Sequence, residues 1–278
     1  PLWSRGLGDV YKRQVWLAFL VAALCIFPAV LSKSELGTAM PKSGGTYVYI
    51  ERAFGPLFGT IAGIGLWLSL LLKSAFSLVG LSAYLYVVVN IDEAYTEAIA
   101  LLALFLIFLL NVFGLKKVEK TQLFIVSTSI ISLIVIIALG FSSFDTKLTE
   151  PVFTDGANGF IAGVAFLYIS YAGVTKIAAI AGEIKNPAKN LPLTMIISLF
   201  LITTIYCLVA LALVGNVEAS ILSTDIKPIH TLFQTIGGDT FGLIAGVVGA
   251  LTLLSMANSG VLASSRFPFA MSKDVLLP

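Results

Sequence analysis

The amino-acid sequence predicts an all-α integral membrane protein with about seven transmembrane helices. Composition is the first observation behind this: 58% of the 278 residues are hydrophobic and only 12% are charged. The second is a mean hydropathy of +0.99. The third is that the apolar residues come in long unbroken stretches rather than at amphipathic spacing. A soluble domain carries about 25% charged residues, so this chain could not give itself a water-facing surface of ordinary polarity. The net charge of +2 is too small to suggest nucleic acid as a partner. The lipid bilayer is the implied surrounding.

A spanning helix needs about 20 apolar residues. In chain order the candidates are Val15–Leu31, Leu57–Val89, Ala94–Phe113, Leu123–Phe144, Gly159–Gly182, Leu193–Val214 and Phe241–Ala263. The first holds Cys25 and the sixth holds Cys207, the only cysteines, which read as inert buried thiols. The second is longer than a bilayer requires and needs tilt or an interfacial extension. Pro28, Pro41, Pro56, Pro151, Pro187, Pro192, Pro228 and Pro268 read mostly as marks of span ends.

Basic residues in short loops set the orientation. Lys33, Lys42, Arg52, Lys116, Lys117, Lys120, Lys185, Lys189, Arg266 and Lys273 fall on one side, ten against the two, Lys147 and Lys227, on the other. The first side is therefore cytoplasmic, and the location is the cytoplasmic membrane. Span one then runs inward, which predicts a preceding span. Residues 1–14, with Arg5, Lys12 and Arg13 on the external side, break the charge rule. They resemble a translated sequencing adapter and are set apart from the membrane domain, 15–278. The competing reading is a signal peptide with Lys12-Arg13 as its basic end, although no secreted domain follows.

Charged residues inside spans mark function by default. Two stand out: Lys73 in the second span and Lys176 in the fifth. A lysine in this setting can exchange a proton, or stand as a fixed ammonium where a coupling cation would sit. The alternative is a packing lysine bonded to backbone carbonyls. The fifth span also collects Gly159, Gly163, Gly173 and Gly182, with Tyr168, Tyr171 and Thr175 near its middle. Glycine in a helix interior costs up to about 1 kcal/mol, so Tyr171–Thr175 reads either as a place where the helix unwinds to line a site or as a close-packing face. His230 reads as an ordinary histidine of an external loop. Asp92, Glu93, Glu97, Asp145, Glu150 and Asp155 read as solvated loop acids. No triad, metal spacing or phosphate loop can be assembled, so enzyme chemistry and bound cofactors are not expected.

Three motifs sit in register on the predicted cytoplasmic side. They are Glu35-Leu-Gly-Thr-Ala-Met-Pro41-Lys-Ser-Gly-Gly45-Thr-Tyr-Val-Tyr49 followed by Phe54-Gly55; Glu183-Ile-Lys-Asn-Pro187-Ala-Lys-Asn-Leu-Pro192; and Ser265-Arg266 with Ala270-Met-Ser-Lys-Asp274 and Pro278. Their order and spacing across nearly all of Val15–Pro278 resemble the amino acid–polyamine–organocation permease family. Read as structure, Gly44-Gly45 permits a tight turn, Pro187 and Pro192 end one helix and open the next, and Arg266 is placed to pair with Asp274.

The resemblance implies a truncated LeuT-like inverted-repeat bundle, with this chain as helices two to eight of twelve. Its function would be secondary active transport of amino acids by alternating access. Polyamine or organic-cation cargo is the alternative within the fold, and a channel or receptor the alternative outside it. By the resemblance, span five is the broken sixth helix. Ala172, Gly173, Val174 and Thr175 form its unwound, substrate-binding stretch, and Tyr168, Ile169 and Tyr171 occupy the gate region. With Gly173 as anchor the gate position is Ile169, a departure from the family's aromatic residue. Some relatives carry a lysine in the fifth helix in place of sodium; Leu123–Phe144 has none. Coupling by a proton or sodium ion therefore falls to Lys73, Lys176, Thr128, Ser129, Ser132, Ser255, Asn258 and Ser259 as candidates. The oligomeric state is not fixed by the sequence.

Overall fold

A computed structural model describes residues 14–42, 44–89, 93–113, 118–149 and 156–274, and all regular structure among them is helical. The segment 1–13, Lys116, Lys117, Asp92, Glu150, Asp155, Pro151 and Pro278 lie outside the described residues.

The helices are α1 (Val15–Ala39), α2 (Thr46–Phe54), α3 (Pro56–Val89), α4 (Thr96–Val112), α5 (Val118–Ser142), α6 (Gly156–Tyr168), α7 (Pro187–Val214), α8 (Ala219–Leu222) and α9 (Pro228–Lys273). Three 3-10 stretches join them: Glu93–Tyr95, Thr146–Thr149 and Ile169–Glu183. Six of the described helical segments are long and apolar enough to cross a membrane, and α4 is a shorter apolar seventh.

Helices outrun the apolar stretches that predict them. α1 continues past Leu31 to Ala39 because its polar end satisfies itself: Ser34 Oγ donates to Leu31 O at 2.8 Å and Thr38 Oγ1 to Glu35 O at 2.7 Å. Proline divides into two roles. Pro56, Pro187 and Pro228 open helices, where the missing N–H costs nothing. Pro28, Pro192 and Pro268 lie inside α1, α7 and α9, so these three do not mark ends. Gly238, at φ 71°, breaks α9 into a short first piece and a long second one.

The chain forms two compact units: residues 1–21, 75–167 and 204–258 make one, and 22–74, 168–203 and 259–278 make the other. In the first unit, Ile136 of α5, Ala212 and Leu213 of α7, Leu222 of α8 and Leu232 and Phe233 of α9 form a buried core. Asn216 ties that core together, its Nδ2 donating to Gly140 O at 2.8 Å and Ala212 O at 2.7 Å.

His230 belongs to this unit and is only 6% exposed, not the surface loop histidine expected. The break at Gly238 is the reason: the short helical piece packs Leu232 and Phe233 inward, and Gly242, lacking a side chain, leaves room for the imidazole. Cys25 is also a correction, since it is exposed on α1 rather than buried.

In the second unit, Tyr47, Val48 and Tyr49 of α2 pack with Leu70 of α3 and Phe267, Ala270 and Met271 of α9. Gly44 and Gly45 take φ of 109° and 48°, as the expected tight turn requires.

Candidate functional site

The span that carries Gly163, Gly173 and Gly182 contains the candidate substrate-binding residues, and its second half departs from α geometry. α6 ends at Tyr168, and 15 residues from Ile169 to Glu183 continue as a 3-10 helix. Such runs rarely exceed three or four residues, and a longer one inside a span marks strain or a hinge. The stretch Ala172–Thr175 is therefore overwound rather than unwound, which corrects the expectation of free backbone groups there. Its hydroxyl turns inward: Thr175 Oγ1 donates to Ala172 O at 3.2 Å.

The 3-10 winding sorts the predicted residues by row. Side chains three apart eclipse one another in this geometry. Tyr171 and Val174 share a buried row, and Ala172 and Thr175 share one that becomes buried at Ala178 and Ala181. Ser170, Gly173 and Lys176 share the third, in which Ser170 and Gly173 are exposed and Lys176 is half-buried. A Cβ added to Gly173 would meet nothing within 4 Å. Of the gate-region residues, Tyr168 is 39% and Ile169 63% exposed, whereas the Tyr171 ring is fully enclosed. A cargo molecule would find the Gly173 row open and the Tyr171–Val174 row closed.

Lys73, half-buried in α3, belongs to the same unit as this stretch and lies close enough to Lys176 to act on it electrostatically.

The polar coupling candidates fall differently. In the first unit, Ser129 of α5 meets Thr252 of α9 at 2.6 Å, and Asn111 of α4 donates to Asn258 Oδ1 at 2.8 Å. Asn111 and Thr252 are partners that sequence reasoning missed; their signal was a polar residue inside an otherwise apolar run. Ser255 is buried on the same helix, Thr128 is half-buried on α5, and Ser259 falls within the other unit. Asn258 and Ser255 also line a cavity of about 560 Å³ walled by apolar residues such as Leu85, Leu102, Leu106 and Leu254. Its other polar members are Thr121 and Gln122, so the charged ends of an amino acid would find no charged partner in its lining.

The three sequence motifs converge in the second unit. Tyr47 of the first donates its hydroxyl to Asp274 Oδ2 of the third at 2.8 Å, the carboxylate that was expected to take Arg266. Burial, that bond and the Asp274 and Glu51 charges hold the Tyr47 hydroxyl well above the usual phenol range. Gly37 of the first motif faces Leu191 of the second so closely that a Cβ there would sit 2.4 Å from Leu191 Cδ2 and 3.0 Å from the Tyr49 hydroxyl. Asn186, the residue before Pro187, adopts φ 49°, and Asn190 Nδ2 donates to Lys185 O at 2.6 Å to close the turn into α7. The motifs thus build one packed junction.

A family model described as amino acid permease matches residues 12–278. Similar proteins include the branched-chain amino acid permease BcaP of Lactococcus lactis subsp. cremoris (strain MG1363), 29% identical over 95% of this chain and 62% of its own length. Another is the human cystine/glutamate transporter, 28% identical over 92% of this chain and 53% of its own. A third is the chloroplastic cationic amino acid transporter 7 of Arabidopsis thaliana, 21% identical over 95% of this chain and 49% of its own. The chain spans between 49% and 62% of the length of these relatives.

Proposed function

The chain belongs to the amino acid permease family, and from that premise we propose that the full-length protein moves amino acids across the cytoplasmic membrane by secondary active transport. The observation that carries the reading is a family match running through every described span. Substrate binds along the Ile169–Glu183 stretch, at the open row through Gly173, with Tyr168, Ile169, Ala172 and Thr175 at its margins. Tyr171 and Val174 contribute from the enclosed row by holding the stretch in shape. The overwound helix supports this placement, since 3-10 geometry stores strain that binding can release. Lys73 and Lys176 lie where charge is expensive, and coupling by a proton or a sodium ion passes through them or through the hydroxyls and amides of Thr128, Ser129, Ser255, Asn258 and Ser259.

A second reading is a cationic cargo, as the name of the Arabidopsis relative has it for that protein. The two in-span lysines oppose it, because like charges repel strongly away from water.

The test is uptake of labelled neutral, acidic and basic amino acids into proteoliposomes holding the full-length protein, with imposed proton or sodium gradients. Saturable uptake driven by one gradient is expected. Folded protein that moves no amino acid under either gradient would sink the reading.

A further inference from the structure

The cavity of about 560 Å³ lined by α3, α4, α5 and α9 lies wholly within the first unit and takes no part in the amino acid reading. Its lining from α4 recurs at Ile99, Leu102, Ala103, Leu106, Ile107 and Leu110, which is one face of the helix. Ala103 and Ile107 are buried and form a floor, while Leu102 and Leu106 are exposed and form a rim. Ala250 of α9 is a second buried alanine in the lining, and the short side chains at both positions leave the space open.

The cavity is thus a groove that runs along a span. From Ile99 to Leu110 the helix advances about 16 Å. One leaflet of a bilayer has a hydrocarbon depth of about 15 Å, half that of the whole core. The groove is as long as a lipid tail is deep, and its exposed rim faces the medium in which such tails lie.

Its chemistry changes along that length. Around Ile99 and Leu102 the lining is apolar. At the Leu110 end stand Asn258, bonded to Asn111 at 2.8 Å, and Thr121 and Gln122 from the opening turns of α5. The exposed Lys120 precedes them, and the sequence adds Lys116 and Lys117 against the single acid Glu119. An apolar trough with a polar, basic end suits an amphipathic molecule with an anionic head, and basic residues beside a span attract anionic lipids. We propose that this groove is a lipid site. One acyl chain of an anionic phospholipid lies along α4, with its head group at Lys120, Thr121 and Gln122.

Tryptophan quenching by brominated lipid tests this in the full-length protein. Leu102 in the rim and Leu101 beside it are 60% and 66% exposed, and only Leu102 lines the groove. Leu102→Trp and Leu101→Trp would each be placed in phosphatidylcholine vesicles with a minor share of phosphatidylglycerol, bromine being carried on the chains of one lipid at a time. Fluorescence would be read against unsubstituted protein, which removes the signal of Trp3, Trp16 and Trp67. Leu102→Trp should be quenched as though phosphatidylglycerol were enriched about fivefold over its share, the scale of one lysine at an anionic head group. Leu101→Trp should follow the bulk share. Lys120→Gln should bring the Leu102→Trp protein down to the Leu101→Trp level. Equal enrichment at the two positions overturns the proposal, since only bulk lipid is then in contact. No quenching of Leu102→Trp by either lipid also overturns it, because another part of the full-length chain then fills the groove. So does an enrichment that survives Lys120→Gln.

Discussion

Two sets of polar residues inside spans, one in each unit, are treated in opposite ways. In the first unit, Ser129 and Thr252 spend their hydroxyls on each other, and the carbonyl of Asn258 is taken by Asn111. These are interhelical ties of the kind that hold membrane helices together, worth roughly 0.6–2 kcal/mol each. In the second unit, the row through Ser170, Gly173 and Lys176 opens outward, on a backbone wound out of α geometry. On the proposed function, the difference separates scaffold from site. A polar side chain satisfied across a helix pair has already found its partner, whereas a lysine above an open glycine is placed to meet one that arrives. Composition makes the two regions look alike, since each sets a few polar residues within an apolar run.

Substitutions can break this contrast, and the largest effect should come from glycine. Gly173→Val sets a Cβ into open space, with no positive φ to strain. Loss of transport by about 100-fold or more is expected with thermal stability unchanged, because misplacement by about 1 Å is enough to cost that much; near-normal uptake would remove the row from the site. Gly140→Val is the opposite control. Its added Cβ would lie 2.9 Å from the Ala212 Cβ on α7, a neighbour with no flexible end to yield. Overpacking of this kind costs about 1–3 kcal/mol, so a lower melting temperature in detergent should account for its whole loss of activity.

Smaller effects sharpen the comparison. Asn111→Ala and Asn258→Ala should each destabilise by about 1 kcal/mol and, combined, by less than their sum, as a shared bond requires; strict additivity in thermal melts would show that the pair is not coupled. The least costly change is Tyr47→Phe. It keeps the packed ring and removes only the bond to the exposed Asp274, so a loss of about 0.5–1.5 kcal/mol is expected. Asp274→Asn in the Tyr47→Phe background should then add little.

Much of this was legible in the sequence. Each expected span has its helix, because a bilayer demands length and hydropathy and little else. The three motifs were legible as a set, and their convergence on Tyr47, Leu191 and Asp274 gives the physical reason for their spacing. Other features were hidden for specific reasons. A 3-10 helix differs from an α-helix by one residue in its hydrogen bonding, which composition does not encode, so glycine left unwinding and close packing both open where the backbone is overwound. Helix ends such as Ser32–Ala39 run into polar sequence that hydropathy reads as loop. His230 is enclosed only because Gly238 turns the chain and Gly242 makes space, a coincidence of positions eight residues and more apart in sequence.

The central claim is that cargo meets the Ile169–Glu183 stretch and not the ties of the other unit. Substrate protection of introduced thiols tests it most directly. Gly173→Cys and, separately, Thr252→Cys would be placed in full-length protein whose Cys25 and Cys207 have been replaced by serine. Each variant would be labelled with a small thiol reagent in the presence and absence of a transported amino acid. The account predicts that substrate slows labelling at position 173 and leaves position 252 unaffected. Labelling at 173 that is indifferent to substrate, or protection confined to 252, would contradict it.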